Sequence, residues 1–379
     1  GQPRSMSRSS SATRQALRAS VVAATLAFSG CTSLVADRIV EAPNQRGAAM
    51  DPETVDAFRN RIKGREEALA TPNGTLALLH VPRRAFEITL RSSLGERTAD
   101  GGYEGQIGWS FEADDERERA PEALGTVVVL HGFEMSKEVM GAFAALMADA
   151  GFEVVLVDLP GHGESDSGYV TYGIREAVAV NALRRELEQR SAPKPLIGFG
   201  VSLGGSVALR AAATEPGWDA IVALQPFEDP AALIPNFRAM APAWLRFLVS
   251  GRRLEKAVAV AEQRAAFHFE DARLAPLLRG YTVPTLIEHG RKDSLVPVSQ
   301  SETIAAAAPG IVELVIDEDG DHLLMPLMLW RRCPNVMGWL SDQFDLARPE
   351  AACERIFYDD PHGMWDAYRG RRANALDDD

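Results

Sequence analysis

Gly200-Val201-Ser202-Leu203-Gly204 places a serine between glycines two residues away on either side. A serine hydroxyl attacks a carbonyl carbon only when a base removes its proton, so the chemistry on offer is acyl transfer and a histidine must follow. The glycines have a steric meaning: a sharp strand-to-helix turn that projects the hydroxyl leaves no room for larger side chains at those positions. Three of the seven histidines are candidate bases. His322 lies six residues beyond a predicted strand, in Asp319-Gly-Asp-His322, where a loop should return to the sheet edge. His289 falls in a predicted strand and His268 in a predicted cap helix, positions that suit packing or surface roles. The order serine, acid, histidine favours His322. The acid is most simply Asp293, in a turn directly after a strand, with Glu228, Asp229, Asp319 and Asp321 as competitors.

A tetrahedral intermediate carries negative charge on oxygen and needs preorganised N–H donors. Leu203, next to the serine at a predicted helix start, is one candidate; Phe133, in the glycine-containing loop Leu130-His-Gly-Phe133, is the other. His131 is assigned to holding that loop. Asp317-Glu-Asp-Gly-Asp321 is similar to a fragment of a calcium loop but lacks its later glutamate, so a solvated acidic turn is expected. Neither a dinucleotide glycine fingerprint nor a His/Cys/acid cluster at ligand spacing is present, and no cofactor or metal is expected.

The elements that must position these groups are short β-branched runs separated by helical stretches: Thr126–Leu130, Glu153–Val157, Pro195–Phe199, Asp219–Leu224, Pro284–His289 and Val312–Ile316. Strands buried on both faces with helical crossovers make a parallel sheet, whose chemistry sits at the carboxyl ends of its strands. Phe86–Leu90 and Tyr103–Phe111 alternate apolar and polar residues around Gly101-Gly102 and read as an antiparallel edge. The predicted division is a tether and surface segment over 31–84 with one helical pattern near Pro52–Leu69, a core over 85–226 and 283–346, a helical cap over 227–282, and an acidic, solvated extension over 347–379. The cap stretch Ala232–Leu248, with its Met, Phe and Trp residues, either lines a substrate pocket or packs the cap on the core.

The serial motifs His131-Gly-Phe133, Asp158-Leu-Pro-Gly-His-Gly163-Glu-Ser165, Gly200–Gly204, Gly290-Arg-Lys-Asp293 with Val296-Pro297, and Gly320-Asp-His322 resemble those of the α/β-hydrolase superfamily over roughly residues 85–345. The resemblance implies an α/β-hydrolase fold with Ser202, His322 and Asp293 as nucleophile, base and acid, and Phe133 and Leu203 as oxyanion donors. Asp158–Ser165 reads as a structural turn, since its glycines fit a tight backbone and no chemistry requires its histidine. The expected activity is a carboxylesterase or lipase-like serine hydrolase acting on a small-molecule ester. A serine peptidase or amidase, or a non-catalytic envelope scaffold, are the alternatives.

The first thirty residues hold Arg4, Arg8, Arg14 and Arg18, no acid, and the apolar run Val21–Phe28, a pattern of export signals and too short to span a bilayer. Phe28-Ser-Gly-Cys31 resembles the lipobox of bacterial lipoproteins, which implies acylation of Cys31 and, with Thr32 following, an outer-membrane anchor facing the periplasm. Cys333 and Cys353 either pair as a disulfide or remain buried thiols. The net charge of −13, with no basic block beyond the N-terminus, argues against nucleic-acid partners.

Overall fold

The computed structural model describes residues 32–46, 52–97, 103–115, 122–240, 250–323, 325–346 and 349–359. Its centre is an eight-stranded sheet in the order β1-β2-β6-β5-β7-β8-β9-β10. The strands are β1 (Arg65–Thr71), β2 (Gly74–Val81), β5 (Thr126–Leu130), β6 (Glu153–Val157), β7 (Leu196–Val201), β8 (Ala220–Leu224), β9 (Thr285–Gly290) and β10 (Val312–Asp317). The six from β5 onward are parallel and match the six β-branched runs to within two residues at either end. These strands alternate between two cores. Val127 and Val129 of β5 face α3 (Gly141–Ala150) and α9 (Leu329–Phe344), whereas Val128 and Leu130 face α4 (Ile174–Gln189), α5 (Leu203–Thr214) and α8 (Ser299–Ala307). Burial on both faces is why these runs carry no polar alternation.

The chain leaves β5 for α3 on one face and leaves the adjacent β7 for α5 on the other. Loops that diverge to opposite faces open a crevice at the carboxyl edge, the position where parallel sheets bind ligands. Phe133 and Ser202 head those two loops.

Three expectations for the periphery are corrected. Residues 65–81 are not tether: β1 and β2 form the hairpin that edges the main sheet, with β2 paired to β6 and Leu76, Leu78, Leu79 and Val81 in the core. The predicted helix near Pro52 is α2 (Pro52–Ile62), and the chain is already extended at Arg65. The hairpin β3 (Phe86–Arg97) and β4 (Tyr103–Ala113) is antiparallel as expected, but it lies in a separate three-stranded sheet, order β11-β3-β4. Its third strand, β11 (Ile356–Asp359), comes from the stretch read as a solvated extension. Phe86, Ile88 and Phe111 seat this sheet in the α3 core, and Phe58 of α2 meets Phe111 edge to face with centroids 5.8 Å apart. Cys333 of α9 and Cys353 form a disulfide, which together with Arg355 on Asp149 ties the chain before β11 to the body. Residues 360–379 lie outside the described residues.

Residues 32–46 are likewise integral. A helix over 32–40, α1, buries Ala36, Ile39 and Val40 in one cluster with Ala257, Ala261 and Ala265 of the cap helix α7 (Gly251–Ala265). The other described cap helix is α6 (Ile234–Met240); Trp244 lies outside the described residues, and Phe237 of the apolar cap stretch is exposed.

Candidate active site

Ser202 stands between β7 and α5 with φ 53° and ψ −115°, a strained positive-φ conformation that costs a non-glycine residue on the order of 1–3 kcal/mol. Its N–H donates to Leu224 O at 2.8 Å, and its own carbonyl accepts from Ser206 N at 3.0 Å. The two glycines are enforced by backbone contact. A Cβ on Gly200 would sit 2.2 Å from the Gly204 carbonyl carbon, and one on Gly204 would sit 2.3 Å from Leu130 O. Only glycine lets the turn close and lets α5 begin directly against the loop after β5.

Asp293 and His322 follow β9 and β10 at the same edge. His322 Nδ1 lies 2.6 Å from Asp293 Oδ2, so Asp293 is the acid that reaches the predicted base. The competitors are engaged elsewhere: Glu228 with Arg273, Asp229 with Ala231 N, Asp319 with Lys292, and Asp321 with Leu323 N. Burial pushes the Asp293 carboxyl up, but hydrogen bonds from His289, His322 and Val296 N–H outweigh it and hold the group below its ordinary value. It is therefore an anion near neutral pH, suited to orient an imidazole and to stabilise its protonated form.

His131 is a structural residue, as expected. Its Nε2 accepts from Leu159 N at 3.0 Å, which leaves the proton on Nδ1 to be donated to Gly132 O at 2.7 Å. Full burial, with the nearby Lys137 charge, pushes its pKa down to about 4, although the Gly132 carbonyl opposes this. His268 is exposed beside Glu262. The Asp158–Ser165 turn is structural too: Ser165 Oγ donates to Asp158 O and accepts from Ala77 N, fastening the turn to β2.

One contributor went unseen in the sequence, and a second was read there as a packing residue. Gln225, fully buried at the end of β8 with φ 52°, donates from Nε2 to Asp293 Oδ2 and to Asp321 O, each at 2.9 Å. Because Ser202 N rests on Leu224 O, one strand end links the serine turn to the carboxylate. His289, read as packing, places Nε2 2.8 Å from Val296 O and 3.4 Å from Asp293 Oδ2, while Nδ1 meets Ser301 Oγ at 2.7 Å. The only signal for either was its place at the carboxyl end of a core strand.

Leu203 supplies the first N–H of α5, where a helix leaves its amides without intrahelical partners and its dipole favours negative charge. Across the crevice, a Cβ on Gly132 would lie 3.7 Å from Ser202 Cβ, which puts the Gly132-Phe133 loop against the serine. The Phe133 ring stacks on Tyr172 with centroids 6.1 Å apart.

The alpha/beta hydrolase family model matches residues 127–331. The chain belongs to that family. Among curated relatives of this alpha/beta hydrolase, it is 28% identical over 239 residues to a pimeloyl-[acyl-carrier protein] methyl ester esterase of Methylococcus capsulatus, covering 54% of this chain and 89% of that one. It is 30% identical over 231 residues to the 2,6-dihydropseudooxynicotine hydrolase of Paenarthrobacter nicotinovorans, covering 59% of this chain and 60% of that one, so it spans less than two thirds of that relative. An esterase structure from Pyrococcus furiosus superimposes with a TM-score of 0.55 at 17% identity, covering 79% of this chain and 96% of the other, a likeness of fold. Among the described residues no group of His, Cys, Asp and Glu is arranged to hold a metal ion, and no helix is long and apolar enough to cross a membrane.

Proposed function

We propose that this alpha/beta hydrolase is a serine esterase. Ser202 Oγ attacks the ester carbonyl carbon while His322 Nε2 takes its proton, and the oxyanion is held by the N–H groups of Phe133 and Leu203. Collapse expels the alcohol, which receives the proton from His322, and leaves an acyl group on Ser202. Water then attacks under the same base and releases the carboxylic acid. The observation that carries this reading is the 2.6 Å contact of His322 Nδ1 with Asp293 Oδ2 at the sheet edge that also bears the strained Ser202. The methyl ester esterase among its relatives supports ester over amide as substrate.

We place the enzyme in the cell envelope, anchored through acylated Cys31 to the outer membrane and facing the periplasm. The Cys333–Cys353 disulfide fits such an oxidising compartment.

The test is labelling of the full chain by a fluorophosphonate together with a kinetic comparison of p-nitrophenyl esters and aminoacyl anilides. Labelling that disappears in Ser202→Ala, with a fall of at least about 10⁴-fold in kcat/KM for esters, is the expected result. Absence of label would mark the fold as a binding scaffold, and faster anilide turnover would mark an amidase.

A further inference from the structure

The segment that follows Cys31 is fastened to the cap from its second residue onward. Arg264 of α7 donates to Ser33 O at 3.0 Å and to Ser33 Oγ at 2.6 Å, and it pairs with Asp37. Farther along, Tyr172 OH donates to Ile39 O at 2.6 Å, Val170 N to Val40 O at 2.8 Å, and Asn44 Nδ2 to Ser165 O at 2.8 Å. Residues 33–44 therefore form a strap that crosses from the cap to the loops after β6. Tyr172, which holds the strap, is also the ring stacked on Phe133 beside Ser202. An extended chain advances at most ~3.6 Å per residue, so a lipid on Cys31 stands within roughly 7 Å of the point where Ser33 is pinned to the cap.

We propose that the cap and the mouth of the site face the bilayer in which Cys31 is anchored, and that the ester substrate is borne by that membrane surface. The proposal rests on the acylation of Cys31 proposed above. A flexible tether would let the domain tumble at any distance from the lipid; the pinned strap leaves no slack for that. The apolar surface agrees. Among the described residues seven large apolar side chains are exposed, and four of them, Leu34, Tyr169, Phe237 and Leu323, lie on the strap, the loop beneath it, the cap and the residue after His322. Exposed apolar side chains on these segments suit immersion in the headgroup region to a depth of about 5–10 Å.

The orientation is read with the full lipidated chain in phosphatidylglycerol and phosphatidylethanolamine vesicles. With Cys31 acylated and Cys333 paired to Cys353, a cysteine introduced by Leu34→Cys, Leu323→Cys, Val178→Cys or Phe357→Cys is the sole free thiol for an environment-sensitive fluorophore. Headgroup spin-labelled lipid should quench the probe about three-fold more at positions 34 and 323 than at 178 and 357, since only the first pair faces the interface. Equal quenching at all four positions, with palmitate incorporated at Cys31, overturns the proposal and leaves the anchor standing. Absence of palmitate at Cys31 overturns both.

The substrate half is read by inserting a roughly twenty-residue Gly-Ser linker between Thr32 and Ser33, which keeps the anchor and releases the orientation. Turnover of 4-methylumbelliferyl palmitate dissolved in the vesicles should fall about five-fold relative to water-soluble 4-methylumbelliferyl butyrate. An unchanged ratio overturns the substrate claim. If neither ester is turned over by the parent chain while the quenching holds, the esterase reading fails, and the substrate claim with it.

Discussion

Asp158 and Asp293 both follow core strands at their carboxyl ends, and both side chains are withdrawn from water. Each accepts several hydrogen bonds. Asp158 receives Lys137 N at 2.7 Å, Lys137 Nζ at 2.7 Å and Glu164 N at 2.9 Å, while Glu138 and Glu164 complete the ring around the ammonium. Burial lowers the Lys137 pKa, but Asp158, Glu164 and Glu138 more than reverse this and raise it above its ordinary value, so the ammonium stays charged throughout the useful pH range. Asp293 receives Leu295 N at 3.0 Å, Val296 N at 2.7 Å and Gln225 Nε2, with buried His289 Nε2 3.4 Å away, yet it also meets the imidazole of His322, which keeps an exposed edge. The two carboxylates differ little in environment. They differ in the partner, an ammonium for Asp158 and an imidazole for Asp293, and on the proposed reading that difference leaves the first to structure and the second to chemistry.

Substitutions at the two centres should separate these roles. Asp293→Asn, which preserves shape but disturbs the tautomer and charge of His322, is expected to lower kcat by about 10⁴-fold while thermal unfolding shifts little. A comparable loss of activity and of melting temperature would mean that Asp293 is structural like Asp158. Lys137→Ala leaves Asp158 buried without its cation and should cost about 3–5 kcal/mol of stability in denaturant titration. Retention of full stability would show that the ring of acids reorganises around a lost ammonium.

His131 gives the third contrast, a histidine kept neutral. Its folded pKa of about 4 lies below an unfolded value of about 6.5, so the unfolded chain binds more protons between these limits. Its contribution to stability is complete above pH 6.5 and is lost as pH falls toward 4, by about 3 kcal/mol. Urea unfolding at several pH values should show this slope in the parent and a flatter one in His131→Asn. The smallest effect is expected at Gln225. Its Oε1 has no hydrogen-bond partner among the described residues, a cost tolerated because both acceptors facing Nε2 demand the amide in this orientation. Gln225→Leu should reduce kcat about ten-fold with KM unchanged, and a matched rise in KM would assign it to substrate binding instead.

Much of this contrast could be read from the chain alone. The strands β5 to β10 and the Gly200–Gly204 turn were legible because burial on both faces and backbone crowding each restrict composition locally. The hairpin Arg65–Val81 was not, although Asn73-Gly74 marks a turn: β1 is a half-exposed edge strand, and β2 acquires its meaning from β6, more than seventy residues away. The α1 segment is short and rich in β-branched residues, which favour helix weakly. Its helix depends on the groove offered by Ala257, Ala261 and Ala265, a surface that exists only after the cap has folded. Gln225 escaped notice and His289 was read as packing for a related reason, since neither residue's contact with Asp293 exists until the chain has folded.

The pairing of Ile356 with Ile88 has a consequence for the order of assembly. A strand at Ile88 finds its neighbour only after a further 268 residues (356 − 88) have emerged from the ribosome, and such distant partners close slowly. Until then the β3–β4 hairpin lacks one flank and the α3 core is incomplete. A nascent chain built this way keeps that flank open through much of its synthesis, which would suit the export proposed above.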